Sequence, residues 1–161
     1  MVRATAEAIL KSAVRPVLVV TGHEAAEVRA ALQDLPVTFH HAPDFADGMS
    51  ASLKAGIAAA PAECTAALVC LGDMPFVRPD TLNQLAQFHS DQAAVFPTWQ
   101  GKRGNPVLLA RPLFAGIMAL SGDEGARSLL RAIPEKVAEL PVDDPGILRD
   151  VDRPDALSQT L

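Results

Sequence analysis

Ala66-Ala67-Leu68-Val69-Cys70-Leu71-Gly72-Asp73-Met74-Pro75 is six apolar residues closed by a glycine, a carboxylate and a proline. An apolar run of this length without polar alternation predicts a strand covered on both faces. Gly72 lets the backbone turn or approach a ligand closely, and Pro75 sets the exit. Pro79-Asp80 then opens a helix to residue 89, with Pro79 suited to a first turn. Upstream, Pro16-Val17-Leu18-Val19-Val20-Thr21 is a second buried run. A helix over 2–13 precedes it, with apolar residues at 2, 6, 9 and 10 and with Glu7 and Lys11 outside. A helix over 24–33 follows, then a strand over 36–41 and an Ala-rich helix over 49–60 ended by Pro61.

Downstream, residues 93–97 and 106–110 read as strands, with the polar loop 98–105 between them. Helices are expected over 112–119 and 123–132 and a strand over 136–140. The turn Asp143-Asp144-Pro145-Gly146 follows, then a short strand over 148–151 and a helical turn from Pro154. Alternation of buried strands and helices predicts one three-layer α/β domain over 1–161, with a mostly parallel sheet. Ligands of such sheets bind beyond the carboxyl ends of the strands, so chemistry is sought in the loops after them.

Composition narrows the function. The chain has 161 residues, 49% of them hydrophobic and 20% charged, which provides for a sizeable core. Six Phe, one Trp and 28 Ala imply an aliphatic core with closely packed helices. A net charge of −5 with scattered basic residues argues against nucleic-acid and membrane-surface partners. No apolar run approaches the roughly 18 residues of a membrane span. Glu7 falls where a signal peptide needs its apolar stretch, so secretion is not expected. Cys64 and Cys70 flank and sit within one strand, too far apart to pair, and read as thiols of a reducing cytoplasm.

Asp73, at a strand's carboxyl end, is placed to ligate Mg²⁺, which takes one or two carboxylates plus phosphate oxygens; the alternative is a turn cap. Period-2 alternation puts Asp150 and Asp152 on one face of a strand, where a cation would relieve their repulsion. Asp152 also suits the N-cap of the next helical turn. Asp47-Gly48-Met49-Ser50-Ala51-Ser52-Leu53 opens a helix with free backbone N–H groups, a nucleotide contact or a plain N-cap. Gly101-Lys102-Arg103-Gly104-Asn105-Pro106 is a basic loop that either binds an anionic substrate or is a solvated hairpin. His40-His41 have no Cys or acidic partner at metal spacing, and His23 either lines the cleft or starts a helix. No Gly-x-Ser-x-Gly, Cys/His pairing or Walker loop occurs.

Six segments, in order, resemble one family. They are Val17-Leu18-Val19-Val20-Thr21-Gly22-His23, Gly48-Met49-Ser50-Ala51-Ser52-Leu53-Lys54-Ala55-Gly56, Leu71-Gly72-Asp73-Met74-Pro75, Arg103-Gly104-Asn105-Pro106-Val107-Leu108, Ser121-Gly122-Asp123-Glu124-Gly125-Ala126-Arg127 and Asp150-Val151-Asp152-Arg153-Pro154-Asp155. Together they look like the molybdenum cofactor cytidylyltransferase group of the MobA-like nucleotidyltransferases. The resemblance implies a Rossmann-like α/β/α fold and transfer of CMP from CTP, or GMP from GTP in a sister branch, to the phosphate of molybdopterin. It implies Mg²⁺ held by Asp73, Asp150 and Asp152, which would be the catalytic carboxylates. Gly48, Ser52, Gly72 and Asp73 would contact the nucleotide, and Arg103, Gly104 and Asn105 the molybdopterin. Family members often carry His where Asn105 stands. A molybdoenzyme is the implied recipient of the product.

The family pattern opens with a strand and a glycine-rich loop that have no counterpart here, so the sheet is expected to lack its first strand. Unpaired backbone and apolar surface should then be exposed. A fragment, a mis-assigned start, a degenerate homologue, and a chain completed by a partner all fit this pattern. A non-catalytic molybdopterin-binding module and a nucleotidyltransferase for another phosphorylated acceptor are the rival functions.

Overall fold

A computed structural model of the chain describes residues 1–88, 91–122 and 125–151. The helices are α1 (Val2–Leu10), α2 (Ala25–Leu32), α3 (Met49–Ala59), α4 (Pro79–Gln87), α5 (Phe114–Met118) and α6 (Arg127–Arg131). The strands are β1 (Leu18–Thr21), β2 (Thr38–His41), β3 (Ala66–Val69), β4 (Ala94–Trp99), β5 (Lys102–Arg103), β6 (Val107–Ala110) and β7 (Val137–Pro141).

β1 and β2 form a parallel pair, Leu18 opposite Thr38 through Thr21 opposite His41. The other five strands form a second sheet, in which β6 lies between β3 and β4, antiparallel to both. β7 runs parallel to β4 on its other side. The expectation of a mostly parallel sheet is therefore corrected to a mixed one. Residues 98–105, expected as a polar loop between two strands, close a hairpin. Gln100 (φ 49°) and Gly101 (φ 75°) both take the left-handed conformation that a tight reversal needs, and Thr98 and Trp99 pair back onto Arg103 and Lys102. A parallel connection would need a crossover of a dozen residues or more, so the short link dictates reversal.

Helices α1, α2 and α4 pack together on one side of the sheets, and α3 and α5 on the other. The larger core joins Ile57, Leu109, Leu113, Ile117 and Leu130; a smaller one joins Met74, Val77 and Leu82 to Ile9 and Val14 of the α1 side. Among the described residues no helix is long and apolar enough to cross a membrane.

Element boundaries shift where capping and proline dominate. The strand expected over 148–151 is a 3-10 turn, Pro145–Leu148, followed by irregular chain. Pro145 occupies its first turn and Asp144 Oδ1 accepts from Gly146 N–H at 2.9 Å, a capped geometry that competes with a ladder. The same-face argument for Asp150 therefore does not hold, and Asp152 and the turn from Pro154 lie outside the described residues. Cys70 follows β3 instead of lying within it; both cysteines are free.

Candidate functional site

β3 ends at Val69, and its exit carries Gly72 and Asp73 to the carboxyl edge of the sheet. Thr5 Oγ1 donates to the Gly72 carbonyl at 2.9 Å, which pins this exit to α1. The Asp73 carbonyl accepts from Val151 N–H at 2.9 Å. Asp150 is thus brought beside the Asp73 loop by main-chain contact, with its own side chain exposed. Asp73 Oδ1 is buried and has no hydrogen-bond partner among the described residues. A carboxylate oxygen withdrawn from water without a donor is costly, and a hard cation is the partner such an oxygen suits. The Asp73 side chain therefore fits a divalent ion. No three His, Cys, Asp or Glu converge among the described residues, so waters and phosphate oxygens would make up the remaining shell.

Gly48 sits at the N-cap of α3 with φ 111° and ψ 179°, a conformation open essentially to glycine. No side chain caps this helix, whose third residue Ala51 donates to the Gly48 carbonyl. Ser50 N–H is taken by the Gly122 carbonyl at 3.2 Å, and the residue is buried. Ser52 lies half-buried one position past Ala51. Ser52, Gly72, Arg103 and Asn105 line a common cavity; Gly48, Asp73, Gly104 and Asp150 lie outside its lining.

The Arg103–Asn105 loop is held by the 3-10 turn. Asn105 N–H donates to the Ile147 carbonyl at 2.9 Å and Gly104 N–H to that of Pro97 at 2.9 Å. A Cβ on Gly104 would collide with the Ile147 carbonyl, so glycine is required by close approach. Arg103 is already engaged: its Nε meets Glu139 Oε1 at 2.6 Å and its guanidinium lies 5.3 Å from the centre of the Phe96 ring. His41 Nδ1 sits 3.3 Å from Thr21 Oγ1 and the exposed His23 sits 3.6 Å from Glu24, with no ligand cluster at either.

Sequence reasoning missed Asp144. It is 1% exposed, and its Oδ2 accepts from Arg78 N–H at 2.8 Å and Thr81 Oγ1 at 2.7 Å. It ties the start of α4 to the segment that touches both Asp73 and Asn105. The signal is Asp before Pro-Gly, which fits an N-cap as well as a turn.

A family model described as the MobA-like NTP transferase domain matches residues 1–138. The chain belongs to that family. It is a nucleotidyltransferase domain, and within the family its similarity is to the molybdenum cofactor cytidylyltransferase group. The Escherichia coli (strain K12) molybdenum cofactor cytidylyltransferase is 26% identical over 140 residues, 86% of this chain and 70% of that protein. The nicotine blue oxidoreductase of Paenarthrobacter nicotinovorans is 29% identical over 171 residues, 100% of this chain and 82% of that one. Among solved structures, Rv0371c from Mycobacterium tuberculosis H37Rv aligns with TM-score 0.84 and 26% identity over 98% of this chain and 80% of that chain. That mycobacterial protein has also been solved in complex with manganese.

Proposed function

We propose that this domain transfers CMP from CTP to molybdopterin in a Mg²⁺-dependent reaction. The observation that carries the metal site is the buried Asp73 Oδ1 at the carboxyl end of β3, which has no partner among the described residues. Asp150 is brought beside it through Val151, and Asp152 would complete the acidic side. A bound Mg²⁺ would supply charge neutralisation on the triphosphate. Gly48 and Gly72 let backbone approach the nucleotide, and Ser52 offers a hydroxyl on the cavity wall. Gly104 and Asn105 form the acceptor side, where Arg103 would exchange its Glu139 partner for the molybdopterin phosphate.

A phosphate oxygen of molybdopterin attacks the α-phosphorus in line, the bond to the β-phosphate breaks and pyrophosphate leaves. The protein contributes position and electrostatics and needs no covalent nucleophile. The two free cysteines agree with a reducing cytoplasm, and a molybdoenzyme would receive the product.

Calorimetric titration of the 161-residue chain with CTP in Mg²⁺, with GTP as control, tests this. CTP-selective binding that Asp73→Ala abolishes supports the reading. GTP preference moves the substrate to the sister nucleotide. A folded chain that binds neither, or turnover of a nicotine-derived substrate without nucleotide release, overturns it.

A further inference from the structure

The two halves of the candidate site hang on different elements: Asp73 follows β3, and Arg103–Asn105 lead into β6. The ladder between these strands stops at Val69 opposite Val107. Beyond it, no main-chain hydrogen bond joins the two loops directly among the described residues. The segment after β7 joins them instead. Its Ile147 carbonyl accepts from Asn105 N–H at 2.9 Å, and its Val151 N–H donates to the Asp73 carbonyl at 2.9 Å. Gly146 lies so close to Phe76, just beyond Asp73, that a Cβ on it would collide with the Phe76 carbonyl. The Arg149 guanidinium stands 4.2 Å from the centre of the Phe76 ring. Residues 146–151 are therefore a strap laid across both the metal loop and the acceptor hairpin.

Asp144 anchors this strap. Its buried carboxylate takes Gly146 N–H on Oδ1, inside the strap, and Arg78 N–H and Thr81 Oγ1 on Oδ2, at the start of α4. Arg78 also reaches back with Nη1 to the Asp143 carbonyl at 2.7 Å. A carboxylate suits the place because it only accepts, and because its charge faces the positive end of α4. The chain runs from Asp73 through 74–77 straight into α4, so the anchor holds the strap to the metal loop's own continuation. On the other side the buried Ile147 packs against Gly104 and holds the hairpin. Asp144 itself is not among the residues lining the cavity shared by Ser52, Gly72, Arg103 and Asn105.

We propose that Asp144 is a positioning residue for the transfer: through the strap it fixes the metal carboxylate and the acceptor hairpin at one spacing. This rests on the reading of Asp73 as metal ligand and of Arg103–Asn105 as the acceptor side. In-line attack needs the reacting atoms about 3–3.5 Å apart, and a displacement of about 1 Å costs on the order of a hundredfold in rate. Loops that moved independently would not keep that spacing, whereas one strap pinned to both does. Asn at position 144 keeps the volume but turns an NH2 toward either Gly146 N–H or the Arg78 and Thr81 donors. One end of the anchor is then lost whichever way the amide faces.

The test follows Mn²⁺ binding to the 161-residue chain and hydrogen exchange at the Asn105 and Val151 amides, well below each variant's melting temperature. Asp144→Asn should weaken Mn²⁺ binding about tenfold and quicken exchange at both amides together. In the parent, saturating Mn²⁺ should slow exchange at Asn105 as well as Val151, and Asp144→Asn should abolish the Asn105 response. Thr81→Val removes one donor with a smaller disturbance of the fold, and should move the same readouts less. Ile117→Ala, which opens a cavity in the larger core, should lower Tm and move none of them. If Asp144→Asn only lowers Tm, as Ile117→Ala does, its role is structural and the proposal falls. A response of one amide without the other also overturns it, because the loops are then not joined. A parent chain that binds no Mn²⁺ overturns the metal reading instead. The joint is then decided by the amides alone: it stands if Asp144→Asn quickens both and falls if it does not.

Discussion

Thr81 Oγ1 donates to Asp144 Oδ2 at 2.7 Å, joining the first turn of α4 to the segment after β7 across 63 positions of sequence. Asp144 also accepts from the main chain of Arg78 and Gly146, so one buried carboxylate closes three donors. Asp144→Ala would strand all three. The expected loss is about 3 kcal/mol, roughly 6–12 °C in Tm for a chain of this size. Thr81→Val should cost less, and the two losses should be non-additive in a double-mutant cycle followed by urea denaturation. Additive losses would show that the pair does not act as a unit.

Asp73 carries the opposite expectation for stability. Among the described residues its buried Oδ1 has no donor, and these residues leave its desolvation cost uncompensated. Asp73→Asn should leave Tm unchanged or raise it, while Mn²⁺ or Mg²⁺ affinity falls at least about tenfold through loss of the charged ligand. Melting curves and metal titration on the same samples check both. A clear drop in Tm, or unchanged metal affinity, would refute the assignment.

Gly104 tests the link between the hairpin and the 3-10 turn. A methyl group there meets the Ile147 carbonyl, which is main chain and gives way only if the turn moves. Gly104→Ala should cost about 1–3 kcal/mol by overpacking. It should also disturb the Asn105–Ile147 hydrogen bond, visible as faster exchange of the Asn105 amide. Native protection of that amide would show that the loop absorbs the methyl group without moving.

How far the sequence could be read follows from the range of the interactions concerned. The apolar runs of β1 and β3, the helix at Pro79 and the Gly72-Asp73 exit are local patterns, and each stands where expected to within two or three residues. The reversal of β6 depended on Gln100 taking a left-handed conformation, which its side chain does not announce. Asp150 was placed on a strand because 148–151 looks extended, but Asp144, four residues before 148, holds the preceding segment in a 3-10 turn. The Arg103–Glu139 pair joins β5 to β7 across β4, an arrangement that no local pattern reveals.

Asp34 gives the fold an acid-sensitive joint. Arg3 reaches from α1 to both Asp34 oxygens just beyond α2, Nη1 at 2.7 Å and Nη2 at 2.8 Å, and Nη1 also donates to the Ala31 carbonyl. Hydrogen bonding to Arg3 holds the Asp34 carboxyl at about 2, below its ordinary 3.8. Because the folded-state value is depressed, the unfolded chain binds the extra proton first. The pair's contribution is therefore full above about pH 4 and is lost as pH falls toward 2. The groups are solvent-exposed, so salt should weaken the effect. Asp34→Asn should flatten the dependence of Tm on pH between 4 and 2 relative to the parent, and leave the curve above pH 5 parallel to it. High salt should bring the two acid limbs together. Identical acid limbs in low salt would show that the Arg3–Asp34 contact contributes nothing to the joining of α1 and α2.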